Sequence, residues 1–138
     1  MFEVVYYSIT GNTEKVAEAI AAELGVKAEN VTGKRGLVAK DSFVFLGSGC
    51  YGGNPGGKLL EFIVTNDFKG KRVALFGTSW RGKGNEVKAL EELLKTRGAL
   101  IMGSFCCKGK VWFLLNRGHP TDEELSNARE FANEMKQS

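Results

Sequence analysis

The feature that most constrains this chain is a hydroxyl-rich turn near its start, placed between an apolar run and a helical pattern. The run from Phe2 to Tyr7 is rich in β-branched and aromatic residues, and Glu14–Leu24 has the pattern of a helix. The turn between them consists of Ser8, Ile9, Thr10, Gly11, Asn12 and Thr13. Unpaired N–H groups and the helix dipole attract anions to the start of a helix, and hydroxyls beside it can donate further hydrogen bonds. The arrangement predicts a phosphate-binding loop with uncharged donors, because the loop contains no lysine or arginine.

The same residues are compatible with an ordinary helix start, since Ser, Thr and Asn are the usual N-cap residues. Two other phosphate sites are excluded by their motifs. The chain has no G-x-x-x-x-G-K-[ST] P-loop and no G-x-G-x-x-G dinucleotide fingerprint. The sequence therefore favours a single phosphate group at the end of the first strand.

Length and composition indicate a globular protein. The chain has 138 residues, 43% of them hydrophobic and 25% charged, and we expect a single domain spanning residues 1–138. Its apolar runs are shorter than a membrane span, and its N-terminus lacks the basic region of a signal peptide. The three cysteines fit neither a metal-ligand nor a disulfide spacing. We expect a cytoplasmic monomer without a metal site.

The charge pattern disfavours nucleic-acid binding. The net charge is +3, and the 19 Lys and Arg residues are interleaved with 16 Asp and Glu residues. A nucleic-acid-binding protein would usually carry a denser basic stripe and a recognition module. We therefore expect a mixed solvated surface and no nucleic-acid partner.

Apolar runs alternate with helical patterns along the whole chain. Strands are predicted at about residues 2–7, 26–31, 42–47, 72–76 and 99–107. Helices are predicted at about residues 14–24, 58–64, 85–97 and 121–136, whereas the state of residues 108–117 is not assigned. Strands that alternate with helices predict an α/β fold, in which helices cover both faces of a parallel sheet.

Three loops rich in glycine and hydroxyl residues follow predicted strands, at residues 8–13, 47–57 and 77–85. Ligands of such sheets bind beyond the carboxyl ends of the strands, so the three loops should converge on one site. Tyr51 and Trp80 each stand among glycines in the second and third loops, a combination that suits a flat ring. The alternative is that these two side chains only pack their own loops.

The order of these motifs resembles that of the flavodoxin family over essentially the whole chain. The matching segments are Ser8–Thr13, Gly47–Gly53 and Leu75–Ser79. The resemblance implies a three-layer fold with a five-stranded parallel sheet of order 2-1-3-4-5, and one non-covalent FMN. Besides Ser8 to Thr13, the implied cofactor-binding residues are Ser48, Gly49, Cys50, Tyr51, Gly52 and Gly53 of the second loop and Thr78, Ser79, Trp80, Arg81, Gly82, Gly84 and Asn85 of the third.

The third loop departs from the pattern of acidic flavodoxins, which often carry an acid there. This chain has Arg81 and Lys83 instead. It is similar to a short, non-acidic branch of the family in its segments Gly47–Tyr51, Phe105–Gly109 and Gly118–Pro120. Positive charge favours an anionic reduced flavin, so we expect a less strongly reducing potential than that of acidic flavodoxins. A basic rim would also steer the protein towards acidic partner surfaces.

The resemblance implies an electron carrier that shuttles electrons between a reductase and an acceptor enzyme. An alternative is a small FMN-dependent oxidoreductase acting directly on a quinone, a tetrapyrrole or a similar compound. A third is an interaction module that has lost its flavin, which the intact loops at residues 8–13 and 47–53 disfavour. We expect a carrier rather than a stand-alone enzyme, and we assign no catalytic residue.

Overall fold

The structure, a computed structural model, describes residues 2–8, 11–33, 43–49, 57–79, 85–108 and 122–137. The strands are β1 (Phe2–Tyr7), β2 (Ala28–Asn30), β3 (Phe43–Gly49), β4 (Arg72–Ser79) and β5 (Leu100–Lys108). The helices are α1 (Asn12–Leu24), α2 (Gly57–Thr65), α3 (Asn85–Thr96) and α4 (Asp122–Lys136), and a 3-10 turn, Val31–Gly33, follows β2. Among the residues described, no helix combines the length and the apolar character needed to cross a membrane.

The five strands form one sheet of order β2-β1-β3-β4-β5, in which every neighbouring pair is parallel. Because β1 has β2 on one side and β3 on the other, the strand order reverses beside β1. The predicted α/β class, the parallel sheet and the order 2-1-3-4-5 are confirmed.

Alternate residues of each strand pack against different helices, because successive side chains of a strand point to opposite faces. On one face, Val4, Phe45 and Phe76 belong to a core that includes Ile20 of α1 and Phe131 of α4. On the other face, a second core joins the strands to α2 and α3 through Val5, Leu46, Leu75, Leu59 and Leu90. A sheet covered on both faces requires nearly continuous apolar strands, which explains the unbroken run Phe43–Leu46.

The predicted strand at about residues 26–31 is shorter in the structure: β2 begins at Ala28, because Val26 still takes part in closing the end of α1. Gly25 adopts φ +73° and its N–H donates to the carbonyl of Ala22, while the N–H of Val26 donates to the carbonyl of Ala21. These bonds satisfy carbonyls that the helix end would otherwise leave free. Only Ala28–Asn30 then remains to pair with β1.

The predicted C-cap at Gly98 after α3 matches the structure. Gly98 adopts φ +82°, its N–H donates to the carbonyl of Lys95, and the N–H of Ala99 donates to the carbonyl of Leu94. At the opposite end of the sheet, β4 is longer than predicted. Its last residues pair with Cys106–Lys108 of β5, so the first part of the third loop is strand.

Gly47 provides the space for an aromatic ring in the core. It lies beside Phe76 in the register of β3 and β4, and a Cβ atom at position 47 would overlap the ring of Phe76. Phe76 is fully buried and is packed on the face covered by α1 and α4. Position 47 therefore cannot accept a side chain unless this ring moves.

We predict that Gly47→Ala lowers the free energy of unfolding by about 1–3 kcal/mol, the usual cost of overpacking a core. Denaturant unfolding measures the change. Gly33→Ala is the matched control, because a Cβ atom at position 33 meets no atom of the described residues within 4 Å. Equal losses of stability at the two positions would show that the ring of Phe76 is not what requires glycine at position 47.

Candidate functional site

The carboxyl ends of the central strands bring together parts of all three predicted loops. Tyr7 of β1 lies beside Ser48 of β3, and Gly49 lies beside Thr78 of β4. Ser8 follows β1 directly, and α1 begins at Asn12. The reversal of strand order beside β1 makes this edge the place where a parallel sheet opens a crevice for a ligand.

The N-terminus of α1 is held by its own loop. Gly11 is the N-cap residue with φ +90°, its N–H donates to Oγ of Ser8 at 2.9 Å, and its carbonyl accepts from the N–H of Lys15 at 3.2 Å. A positive φ favours glycine at this position. The hydroxyl of Ser8 therefore fixes the turn that leads into α1.

No side-chain hydrogen bond from the described residues caps α1, although Ser, Thr and Asn are plentiful in the turn. Ile9 and Thr10 of this turn lie outside the described residues, so the ordinary N-cap turn stays a prediction beside the phosphate-binding loop. The N–H groups at the start of a helix and the helix dipole suit an anion. Among the described residues, no atom would lie within 4 Å of a Cβ atom at position 11. Both features fit a phosphate group.

A buried hydroxyl pair connects the first and third loops. Oγ1 of Thr13 lies 2.7 Å from Oγ1 of Thr78, and both residues are almost fully buried. Gly49 of β3 lies beside Thr78 in the register of the sheet. One hydroxyl donates to the other, which leaves the proton of the accepting hydroxyl available for a further acceptor. The sequence motifs contain both threonines but give no sign of their pairing.

Ser48 contributes a buried hydroxyl at the end of β3. It is 0% exposed, and its hydroxyl donates to the carbonyl of Gly49 at 2.8 Å. The bond holds the last two residues of the strand in a fixed local geometry. Ser48 therefore supports the strand end from which the second loop departs.

The other residues predicted for the site divide into two groups. Ser79 ends β4 and Asn85 begins α3, so both flank the third loop. The following lie outside the described residues: Ile9, Thr10, Cys50, Tyr51, Gly52, Gly53, Trp80, Arg81, Gly82 and Gly84. The described part of the candidate site thus consists mainly of Ser8, the start of α1 and the ends of β3 and β4.

Tyr6 and Glu14 form a contact that the sequence motifs do not reveal. The hydroxyl of Tyr6, near the end of β1, donates to Oε1 of Glu14 in the first turn of α1 at 3.0 Å. Burial, the hydrogen bond to Glu14 and the charges of Glu14 and Glu18 together raise the pKa of Tyr6 to about 12. The side chain of Asn30 opposes that rise. The phenol therefore remains a proton donor at neutral pH.

The fold defines an α/β protein of the doubly wound class, in which a turn with a glycine N-cap enters α1 at the point where strand order reverses. The sequence model of the family described as "Flavodoxin domain" matches residues 3–117. The chain belongs to the flavodoxin family.

Two relatives illustrate the likeness in sequence. An uncharacterized protein of Methanocaldococcus jannaschii is 31% identical over 131 residues, which cover 88% of this chain and 87% of that protein. The flavodoxin of Megasphaera elsdenii is 31% identical over 118 residues, which cover 75% of this chain and 83% of the relative.

Solved structures show the same fold. A flavodoxin from the domain Archaea superposes with a TM-score of 0.78 at 20% identity, covering 99% of this chain and 96% of that one. Oxidised flavodoxin 1 from Bacillus cereus gives a TM-score of 0.77 at 21% identity, covering 99% and 97%. At these sequence identities, the structural similarity shows a shared fold.

We predict that the free energy of unfolding falls between about pH 10 and pH 12 because of Tyr6. Below the ordinary tyrosine pKa, both the folded and the unfolded state keep the proton. Between pH 10 and about 12 the unfolded state loses it while folded Tyr6 does not, so the unfolded state gains stability. Denaturant unfolding of the wild type and Tyr6→Phe across this range measures the effect. Parallel pH profiles of the two proteins would contradict it.

We predict that Thr13→Val and Thr78→Val each lower the free energy of unfolding by about 1–3 kcal/mol, because each leaves a buried hydroxyl without its partner. The double variant should lose less than the sum, since it removes both hydroxyls together. Thr65→Val is the control, as that hydroxyl is exposed on α2. Strict additivity of the two losses would mean that the pair is not coupled.

Proposed function

We propose that the protein is a single-domain, FMN-binding electron carrier. The observation that carries the proposal is the start of α1, where a glycine N-cap with positive φ follows β1 at the reversal of strand order. A site of this kind suits one phosphate group held by neutral donors. FMN carries one phosphate, whereas a dinucleotide would need a second phosphate cradle.

In this proposal each loop has a separate task. Residues Ser8 to Thr13 hold the phosphate, with the buried pair Thr13 and Thr78 fixing the far side of that loop. The second loop, Ser48–Gly53, and the third loop, Thr78–Asn85, enclose the ring. When bound, FMN supplies one-electron and two-electron transfer, and the protein's residues bind and orient it.

The carrier role is supported by membership of the family and by the share of each relative's length that this chain matches. The matches to the two relatives cover 87% and 83% of their lengths, and one of these relatives is named flavodoxin. In this proposal the partners of the present protein are a reductase and an acceptor enzyme, and the protein acts as a cytoplasmic monomer. Arg81 and Lys83 in the third loop favour partners with acidic surfaces around their redox centres.

We predict that the purified full chain is yellow and that, once freed of flavin, it binds FMN more tightly than riboflavin or FAD. Riboflavin lacks the phosphate, and FAD carries a second phosphate with an adenosine. Calorimetric titration of the three flavins ranks the affinities. Equal affinity for FMN and riboflavin would show that the loop from Ser8 to Thr13 does not hold a phosphate.

Kinetic measurements on the FMN-bound protein distinguish an electron carrier from a stand-alone enzyme. A carrier is reduced through a flavoprotein reductase and reoxidised by a protein acceptor, and it does not turn over NADPH alone. Stopped-flow absorbance of the flavin follows both half-reactions. Rapid oxidation of NAD(P)H by a quinone or a tetrapyrrole, without a second protein, would instead favour the small-molecule oxidoreductase.

A further inference from the structure

A hydrogen bond from the sheet holds the carboxylate of Glu14. The hydroxyl of Tyr6, near the end of β1, donates to Oε1 of Glu14 at 3.0 Å. Asn30 of β2 lies beside Tyr6 in the register of the sheet, and its Oδ1 accepts from the N–H of Thr32 at 3.0 Å and from the hydroxyl of Thr32 at 2.9 Å. The contact between Tyr6 and Glu14 thus joins β1 to the first turn of α1.

The position of Glu14 makes this contact important for anion binding. Glu14 is the acidic residue of the first turn of α1, three residues after the N-cap Gly11. Helical side chains tilt towards the N-terminus of their helix, so an unrestrained carboxylate there would lean towards the proposed phosphate site. Two negative charges at one helix end repel each other and compete for the same N–H groups.

Tyr6 counters this tendency from the sheet side. It belongs to the core beneath α1 and is only 5% exposed, so its hydroxyl has a fixed position. A phenol binds the carboxylate without adding a positive charge or consuming a backbone N–H group. The contact draws the carboxylate of Glu14 towards β1.

We propose that Tyr6 is a positioning residue for phosphate binding, which holds the carboxylate of Glu14 against the sheet so that the N-terminus of α1 stays open to an anion. The inference rests on the proposed function, because the anion is the phosphate of FMN. It assigns a binding consequence to a residue that does not touch the cofactor. Phosphate affinity should therefore depend on the Tyr6–Glu14 bond.

The test compares FMN with riboflavin, because only FMN carries the phosphate. In the full chain freed of flavin, at low ionic strength, Tyr6→Phe should weaken FMN binding about three- to tenfold and leave riboflavin binding unchanged. Calorimetry gives both affinities. The informative quantity is the ratio of the two dissociation constants, which loss of packing alone would not change.

Two further variants separate charge from packing. Glu14→Asp keeps the negative charge, but its side chain is too short for the contact with Tyr6. It should therefore reduce the preference for FMN over riboflavin as Tyr6→Phe does, while the core stays intact. Adding Glu14→Gln to Tyr6→Phe should restore the preference by removing the released charge. Glu18→Gln is the matched control in the same background, because Glu18 is exposed one turn further along α1. It should restore little.

The outcomes distinguish this inference from the proposed function. If the wild type binds riboflavin as tightly as FMN, there is no phosphate site and both fail. If the wild type prefers FMN and Tyr6→Phe or Glu14→Asp keeps that preference, the positioning role alone is overturned. If Tyr6→Phe weakens the binding of FMN and riboflavin equally, and Glu14→Gln does not restore the preference for FMN, then Tyr6 contributes only to packing.

Discussion

Covering both faces of one parallel sheet is the constraint on which the rest of this structure depends. Val44, Phe45 and Leu46 are all fully buried because helices lie on either side of β3. Such strands have no room for polar chemistry along their length, except where hydrogen bonds compensate for burial. Polar groups that bind a ligand must therefore gather where the strands end. The hydroxyls of Ser48 and Thr78 lie at that edge, each bonded to a neighbour.

Most of the architecture could be predicted from the sequence because it follows from local patterns. Apolar runs such as Phe43–Leu46 predict buried strands, and Gly98 marks the end of α3. The strand order came from the resemblance of the motifs, which carry long-range information that periodicity lacks. The prediction for β2 was too long because hydropathy cannot show that the N–H of Val26 closes the preceding helix.

The candidate site could be predicted only at the level of segments. The turn Ser8–Thr13 was found, but which atoms in it are already bonded depends on contacts across the sheet. Thr13 meets Thr78 over 65 positions of sequence, and Tyr6 meets Glu14 because α1 folds back over β1. Neither pair has a spacing that a motif would record. A hydroxyl in the apolar run of β1 does not single out Tyr6, because Tyr7 beside it also has one.

The fit between Gly47 and the ring of Phe76 implies that one volume in the core belongs jointly to two positions. β3 leaves a gap that β4 fills, and neither residue type is explained by its own strand alone. Mutational tolerance at the two positions should therefore be conditional. A larger residue at position 47 would become acceptable only in a background where position 76 had already become smaller, so the order of substitutions would decide which evolutionary routes stay open.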